Sequence, residues 1–388
     1  MTGGYRIAIE LIRRWSSRTD LTFHIYTTKD GQKMIKRYIT QNKKIVYDLI
    51  WSPTFLTKLC LNHALISIVV YIFLFLYGSI DALISDKKES TVLVYSVTPF
   101  LPDLIPGLLM KLRTRSTKWF VAHAMFAPNP LKGGFGIPRK HRIPSLRDVG
   151  FYLNEKSTYP LLKKYADLIS ETNELDRKRC IMEGFTPSRV LVIQGGVDTK
   201  LSRTIPEPKQ KEFDAVFVGR LHPQKGLLEL IDIWRSVCER RSNAKLAIIG
   251  NGPLEKDIKA KIKKYGLENN VVLFGFKDGT EKIKIFKNSK IVLHPAVYDS
   301  GGMAACEAMA CGLPGVSFDL PALKTYYPKG MLKAPCFDLK AFAGNILMLL
   351  EDQELYGKLQ KEALELACEW DWDRRATYLF DKVIEASK

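Results

Sequence analysis

Two positively charged side chains stand in the turn that follows a buried strand pattern in VFVGRLHPQKG, residues 216–226. Arg220 comes directly after the strand, and Lys225 follows just before a predicted helix. Ligands of parallel α/β sheets bind at the carboxyl ends of strands. An arginine fork and a lysine point charge at such a turn could hold the two phosphates of a diphosphate. Two solvated cations on a loop would give the same pattern, so this segment alone leaves both interpretations open.

Two carboxylates lie eight residues apart in HPAVYDSGGMAACEAMACGLPGV, residues 294–316. The loop DSGG carries Asp299 and opens a predicted helix at about Met303, and Glu307 lies just over one turn into that helix. Glycines at a helix N-terminus let backbone N–H groups approach an anion closely. A carboxylate can accept both hydroxyls of a ribose, and another can accept sugar hydroxyls. The alternative is a capping aspartate and a surface glutamate, but a glutamate in so apolar a helix needs a partner.

Alternating strand and helix patterns surround these segments and must position them. Apolar strand patterns such as TVLVYSV, WFVAHA, DAVFVGR and KLAIIGNG alternate with helical ones, which predicts parallel, doubly wound sheets. The proline-containing stretch RTIPEPKQKE, residues 203–212, is typical of a linker. We therefore predict one α/β domain over residues 1–202 and a second that begins at residue 203.

The chain opens with MTGGYRIAIELIRRW, which predicts a glycine turn leading into an amphipathic helix rather than a signal peptide. An α/β domain normally starts with a strand, and no strand pattern precedes this helix. Either a first strand lies upstream of this start, or the sheet has one strand fewer.

An apolar run, ALISIVVYIFLFLYGSI, covers residues 64–80 and is at the lower length limit for crossing a bilayer. It fits a helix lying in the membrane interface or a buried helix better than a spanning one. Residues 132–147 are expected to form a mobile loop with five positive side chains. The formal net charge of +18 indicates an anionic partner, unless it serves solubility alone. No nucleic-acid-binding motif occurs, so a membrane surface or a phosphorylated ligand is the expected partner.

No metal or nicotinamide site is expected. Seven cysteines without a CxxC pair indicate reduced thiols in a cytoplasmic protein rather than zinc ligands or disulfides. Asp371-Trp372-Asp373 is a DxD string, but it falls in a predicted terminal helix rather than on a loop after a strand. The string GNGPLE, residues 250–255, lacks the third glycine of a dinucleotide fingerprint.

The pairing of VGRL…KG with an acidic-x7-E block ending in EAMACGLP resembles the family-4 retaining glycosyltransferases of GT-B fold (glycosyl transferases group 1). Weaker similarities extend over nearly the whole chain, in TGG, TPFLPD, VAHA, IQGGVD, IIGNGPLE, VVLFGF and EWDWDRRA. The resemblance implies two Rossmann-like, doubly wound domains facing a central cleft. It places the donor domain at 203–365 and implies that the helix at 366–388 returns to the N-terminal, acceptor-side domain.

Carried over by position, the resemblance implies a role for each matching residue. Arg220 and Lys225 would hold the donor diphosphate, Glu307 would bind the ribose, and Asp299 would contact the transferred sugar. His123 would sit near the reacting carbon or the 6-hydroxyl and completes the expected catalytic set with Arg220, Lys225 and Asp299. Further donor contacts are expected from Gly219, Gly252, Phe276, Gly301, Gly302, Met303 and Ala304, and Gly3 and Gly4 would line the diphosphate side from the first domain. The family usually has glutamate where this chain has Asp299, so the sugar contact is open to change.

The expected activity is transfer of a sugar from a UDP- or GDP-sugar to a lipid-linked or polysaccharide acceptor, with retention of anomeric configuration and without a metal or other cofactor. The protein is expected to be cytoplasmic and peripheral on the inner membrane face, held by residues 64–80 and 132–147. Two alternatives stay open. One is another GT-B enzyme, such as a nucleotide-sugar 2-epimerase or a phosphorylase, and the other is a non-catalytic, membrane-associated module that binds nucleotide-sugars.

Overall fold

The computed structural model describes residues 3–18, 21–39, 43–50, 64–84, 93–114, 116–124, 126–132, 146–301 and 303–387. The chain divides into two units. Among the described residues, the first contains those within 3–131, 146–193 and 373–387, and the second contains Lys132 and those within 194–372.

The described strands of the first unit form two separate parallel sheets. Strands β1 (Phe23–Thr27) and β2 (Ile45–Leu49) pair with each other. The other sheet has the strand order β3-β4-β5-β6, and every neighbouring pair is parallel. Its strands are β3 (Leu93–Ser96), β4 (Lys118–Ala124), β5 (Leu168–Glu171) and β6 (Val190–Val192).

Helices connect these strands and cover the sheets. They are α1 (Gly3–Arg18), α2 (Lys29–Ile35), α3 (Ala64–Ile84), α4 (Leu101–Arg113), α5 (Leu146–Tyr165) and α6 (Glu174–Met182). In α1, buried Ile7, Leu11 and Trp15 recur every four residues, which is the pattern of one buried helical face. The helix already begins at Gly3, so Gly3 and Gly4 are helical, and the separate glycine turn predicted for them is wrong.

Helix α3 covers the apolar run predicted at residues 64–80, and its described side chains begin at Val70. It packs closely on α4, because a Cβ added at Gly78 would lie only 3.1 Å from Pro106 Cγ. Within the described part of the chain, we find no helix with the length and apolarity needed to cross a bilayer. The predicted basic loop at 132–147 lies outside the described residues, apart from its ends.

The second unit contains one described sheet, a six-stranded parallel sheet in the order β12-β11-β10-β7-β8-β9. Its strands are β7 (Phe213–Val218), β8 (Leu246–Ile249), β9 (Val271–Gly275), β10 (Ser289–His294), β11 (Gly315–Phe318) and β12 (Met331–Ala334). Its helices are α7 (Thr199–Thr204), α8 (Leu227–Arg240), α9 (Glu255–Lys264), α10 (Gly279–Lys287), α11 (Met303–Met309), α12 (Leu323–Tyr326), α13 (Leu339–Glu351) and α14 (Gln353–Glu369).

Alternate residues of β7 enter two different buried clusters. Ala215 and Phe217 pack with Trp234 of α8, whereas Val216 and the partly buried Val218 pack in the cluster that contains Trp370. Since successive side chains of a strand point to opposite faces, helices cover both faces of this sheet. The predicted doubly wound, parallel arrangement is confirmed.

The last helix, α15 (Trp372–Ser387), starts in the second unit and continues in the first from Asp373 onward. Its first-unit part packs on α1. Asp373 accepts a hydrogen bond from Arg14 Nε at 2.6 Å, and the Trp15 indole donates to the Ala376 carbonyl at 2.8 Å.

Candidate active site

A lysine and an aspartate from two strand-end loops meet in the second unit. Lys225 lies in the loop after β7 and Asp299 in the loop after β10, and Lys225 Nζ donates to Asp299 Oδ2 at 2.6 Å. Strands β7 and β10 are neighbours at the point where the strand order reverses direction. In open parallel sheets, the crevice at the carboxyl ends beside such a reversal is the usual ligand site. The structure therefore brings together the cation and the acid that the sequence singled out separately.

Glycine backbones hold these loops against each other. Gly226, which follows Lys225, has a positive φ of 65°, and a Cβ there would lie 1.9 Å from the Pro295 carbonyl oxygen. The Val297 N–H donates to the Gln224 carbonyl at 3.0 Å. A side chain at residue 226 would separate the two loops, so the close approach requires glycine.

The loop after β8 joins the same edge of the sheet. Gly219 N–H donates to the Ile249 carbonyl at 3.0 Å, and a Cβ at Gly252 would lie 2.5 Å from the Leu221 carbonyl oxygen. The exposed Arg220 lies between these two close approaches. The predicted donor residues Gly219, Arg220 and Gly252 thus share one edge with Lys225.

Asp299 is held from three directions, and its side chain is 6% exposed. Besides Lys225, the Gly301 N–H donates to its Oδ1 at 3.2 Å, and His294 Nε2 lies 3.2 Å from its Oδ2. Burial alone would raise the pKa of Asp299, but the Lys225 charge and the His294 contact outweigh it and hold that pKa well below its usual range. Asp299 is therefore an ionised, tightly bound acid.

The position of His294 beside Asp299 could not be predicted from the sequence. Burial lowers the pKa of His294, although Asp299 opposes this shift. His294 is the last residue of β10 and pairs in register with Ser317 of β11, which pairs with Lys333 of β12. A row of polar residues thus crosses three strands below the Asp299 loop. The only feature of the sequence that pointed to His294 was its place before Pro295 at the end of a buried strand pattern.

Lys333 is a second cation that the sequence did not single out. Its Nζ donates to Ser317 Oγ at 3.1 Å and lies 5.3 Å from the centre of the Tyr327 ring. Burial lowers the pKa of Lys333 to about 8, and only Asp319 counteracts this. Lysine shifts its pKa readily when its ammonium loses water.

Glu307 has the partner that its apolar helix required. Lys282, on α10, places its Nζ 2.9 Å from both carboxylate oxygens of Glu307. The sequence predicted the need for a partner but did not identify Lys282.

The other predicted donor residues lie around this loop and helix. A Cβ at Gly301 would lie 2.4 Å from the Tyr326 hydroxyl, so this position also requires glycine. Met303 and Ala304 form the first turn of α11, and Phe276 is exposed just after β9. Gly302 lies outside the described residues. The donor contacts expected from all five positions stay predictions.

His123 lies in the first unit, at a β-bulge near the end of β4. Its Nδ1 is 2.7 Å from Glu171 Oε1 at the end of β5, and both side chains are buried. Burial lowers the pKa of His123, but Glu171 raises it more, and the net shift is upward. His123 Nε2 has no hydrogen-bond partner among the described residues. A ring nitrogen in this state could bind a substrate hydroxyl, so the role predicted for His123 is chemically possible and stays a prediction, as do those of Gly3 and Gly4.

Both acids of the DxD string have protein partners. Asp371 accepts a hydrogen bond from the Thr199 hydroxyl, and Asp373 from Arg14. In the described part of the chain, no cluster of three or more histidine, cysteine or acidic side chains could hold a metal ion. The six cysteines that the structure describes are free thiols.

Comparison with known proteins agrees with this arrangement. Residues 198–366 match the family model described as glycosyl transferases group 1. An uncharacterized glycosyltransferase of Methanocaldococcus jannaschii is 40% identical over 101 residues, which are 26% of each chain. The amylovoran biosynthesis glycosyltransferase AmsK of Erwinia amylovora is 29% identical over 230 residues, 57% of this chain and 54% of that protein. The chain thus matches between about a quarter and about half of the length of these relatives.

The crystal structure of Anabaena Alr3699/HepE in complex with UDP-glucose superposes with a TM-score of 0.71 at 15% identity, covering 99% of this chain and 96% of that one. Such a likeness defines the fold, which is GT-B. The match to the glycosyl transferases group 1 model covers the residues that carry the Lys225–Asp299 pair.

Proposed function

We propose that this protein is a retaining glycosyltransferase that uses a UDP- or GDP-sugar and needs no metal. One observation carries the proposal. The Lys225–Asp299 pair lies beside the strand-order reversal of a glycosyl transferases group 1 domain, and Arg220 follows the same strand. A nucleotide-sugar offers a diphosphate to these cations and a ribose to Glu307. UDP is the first donor nucleotide to test, because the structurally similar HepE was crystallised with UDP-glucose.

The chemistry follows from where charge develops. Breaking the bond between the anomeric carbon and the phosphate oxygen produces an oxocarbenium-like carbon and a nucleoside diphosphate with additional negative charge. Arg220 and Lys225 would stabilise this leaving group most strongly as the bond breaks. The acceptor oxygen then bonds to the same face of the carbon, and its proton passes to the leaving phosphate oxygen. NMR of fresh product should show the anomeric configuration of the donor, and an inverted centre would rule out this internal return.

A thermal-shift screen of the full-length protein against UDP-, GDP- and ADP-sugars tests donor binding. A ligand that binds only the folded state raises its stability. We expect one nucleotide class to raise the melting temperature in the presence of EDTA as well as in its absence. If no nucleotide-sugar gives a shift, or if EDTA abolishes it, the metal-independent donor site is not supported.

We also propose that the acceptor is lipid-linked or part of a glycan, and that the protein works peripherally at the inner membrane face. Support comes from one side of α3, where Ile72, Leu76, Ile80 and Leu83 are between 49% and 57% exposed. Their spacing places them on one helical face. A helix with an exposed apolar face can lie in the membrane interface without spanning it.

Cations lie near the end of this apolar face. Arg113, at the end of α4, donates to the Ala82 carbonyl of α3 at 2.9 Å. Two residues earlier, Lys111 lines a cavity of about 1070 Å³. Six cations line this cavity, the others being Lys118, Lys164, Arg177, Arg189 and Lys382. They outnumber its three acids, Asp167, Glu174 and Glu385, which pair with Lys111, Arg177 and Lys382. Each lysine or arginine near an anionic bilayer contributes about 1 kcal/mol of attraction, so this surface would add to the pull of the apolar face.

Flotation with anionic liposomes at low salt tests the membrane proposal. We expect the wild type to float and the double variant Leu76→Glu/Ile80→Glu to stay in solution, since the two charges oppose insertion of the apolar face. Met348→Glu is the control, because Met348 is also about half exposed but lies in the second unit. Equal flotation of both variants, or no flotation of the wild type, would contradict the proposal and favour a soluble acceptor.

A further inference from the structure

Lys282 forms a partly buried bridge between two acids of the second unit. Its Nζ lies 2.9 Å from Oε1 and from Oε2 of Glu307, and 3.0 Å from Asp278 Oδ1. The Lys282 side chain is only 11% exposed, and that of Glu307 is 30% exposed. Lysine is seldom buried unless it is paired. The geometry therefore differs from that of an ordinary surface ion pair, which contributes little to stability.

Helix α10 fixes the position of this ammonium group. Asp278 caps the helix, and its Oδ1 accepts from the Gly279 N–H at 2.9 Å as well as from Lys282 one turn later. The buried residues Ile283 and Phe286 pack the same helix into the core. The helix thus fixes the backbone of Lys282, and Asp278 fixes its ammonium group. Glu307 of α11 is the group that this ammonium orients.

The charge of Lys282 is maintained despite its burial. Burial lowers the pKa of Lys282, but the charges of Glu307 and Asp278 raise it more, so the net shift is upward. Removing the lysine would take away the cation that lies between these two nearby acids.

A carboxylate that binds two vicinal hydroxyls must present both oxygens in a fixed plane. An ammonium equidistant from both oxygens fixes that plane, and each oxygen keeps lone-pair capacity for one hydroxyl. Building on the proposed function, in which Glu307 binds the ribose, we propose that Lys282 is a positioning residue. It aligns the Glu307 carboxylate with the 2′- and 3′-hydroxyls and so makes the site select ribonucleotide donors over 2′-deoxyribonucleotides.

The opposite role for Lys282 would be that of a competitor, which occupies the Glu307 carboxylate and must be displaced by the ribose. The two roles predict opposite changes in ribonucleotide affinity when Lys282 is replaced. Loss of a positioning lysine weakens ribonucleotide binding, whereas loss of a competitor strengthens it.

Calorimetric titration of the full-length protein with UDP, GDP and their 2′-deoxy forms separates these roles. For Lys282→Met we expect the Kd of the preferred ribonucleotide to rise about tenfold, the range of one charge-assisted hydrogen bond, and the Kd of its 2′-deoxy form to change much less. Lys282→Arg keeps the charge and should retain part of the preference. Lys284→Met is the matched control, because Lys284 is exposed on the same helix and should leave both constants unchanged.

Combination with Glu307→Gln adds a second criterion. If Lys282 acts through Glu307, the double variant should bind no more weakly than Glu307→Gln alone. The positioning role would be overturned if Lys282→Met bound the ribonucleotide as tightly as the wild type or more tightly. It would also be overturned if the Kd values of the ribonucleotide and of its 2′-deoxy form rose equally. Either result would leave the proposed function intact. If the wild type binds neither UDP nor GDP, the proposed function itself fails and this inference fails with it.

Discussion

Arg220 and Lys225 differ in how deeply the fold depends on them. Lys225 neutralises the buried Asp299, whereas Arg220 is exposed at the end of β7. Removing Lys225 would leave a buried carboxylate without its cation, which destabilises a protein in its own right. Arg220 is therefore the cleaner probe of catalysis.

Arg220→Ala should lower kcat about 10²- to 10³-fold, while KM for the donor changes much less, because the charge it stabilises develops as the bond breaks. Steady-state kinetics with the donor found by thermal shift measures both constants. Lys256→Ala, an exposed cation on α9, should leave them unchanged. A large rise in KM with kcat unchanged would show that Arg220 only binds the donor.

Lys333 gives the stability of this protein an alkaline pH dependence. Its folded pKa is about 8, against an ordinary value of 10.5. Between these two values the unfolded chain binds more protons than the folded one, so this group makes stability rise with pH. Below about pH 8, both states are protonated and the buried charge is a constant cost.

Lys333→Met removes that cost. The variant should be about 1–3 kcal/mol more stable than the wild type at pH 7, and the difference should shrink as the pH rises from about 8 to 10.5. Urea denaturation across this range measures it. A difference that is independent of pH, or that grows with pH, would show that the folded pKa of Lys333 is not lowered.

Some residues of the candidate site could be predicted from the sequence and others could not. Arg220, Lys225, Asp299 and Glu307 could be predicted because each sits in a short local pattern, a strand followed by a turn or a glycine loop before a helix. Lys282, His294 and Lys333 could not, because their partners come from other elements and depend on strand register and helix packing. The sequence did show that Glu307 needed a partner, since a carboxylate in so apolar a helix is unfavourable unless it is paired.

At the scale of elements, the loops after β7 and β10 act as one unit because Gly226 lets them touch. A side chain at residue 226 would meet both a positive φ and the Pro295 carbonyl. The strand order places these loops at the reversal between β7 and β10. The sequence predicted the strands well, because buried parallel strands are short apolar runs. It missed the helical state of Gly3 and Gly4, because glycine is a common turn residue.

One strained backbone position usually costs about 1–3 kcal/mol. Gly226→Ala adds the clash with the Pro295 carbonyl, so it should lower the free energy of unfolding by more than this and should also weaken donor binding. Gly344→Ala is the matched control. Gly344 lies inside α13 with open space around its Cα, so alanine there should stabilise by about 0.5–1 kcal/mol. Chemical denaturation of both variants tests the pair. Similar stability of the two would show that the contact at Gly226 does not hold the loops together.

At the scale of the whole molecule, the two units differ in the groups that they offer to a substrate. The second unit contains the residues that match the family model and holds the two ion pairs of the proposed donor site. The first unit contains the exposed apolar face of α3 and the buried His123–Glu171 pair. Acceptor recognition could not be predicted from the sequence, because it depends on surface shape rather than on a local pattern of residue types.

The most direct test of the account is the position of the nucleotide in a crystal structure of the full-length protein with the donor nucleoside diphosphate. We expect phosphate oxygens within hydrogen-bond distance of Arg220 and Lys225, and the ribose hydroxyls on Glu307. A nucleotide bound elsewhere, or one whose ribose leaves Glu307 bound only to Lys282, would contradict it.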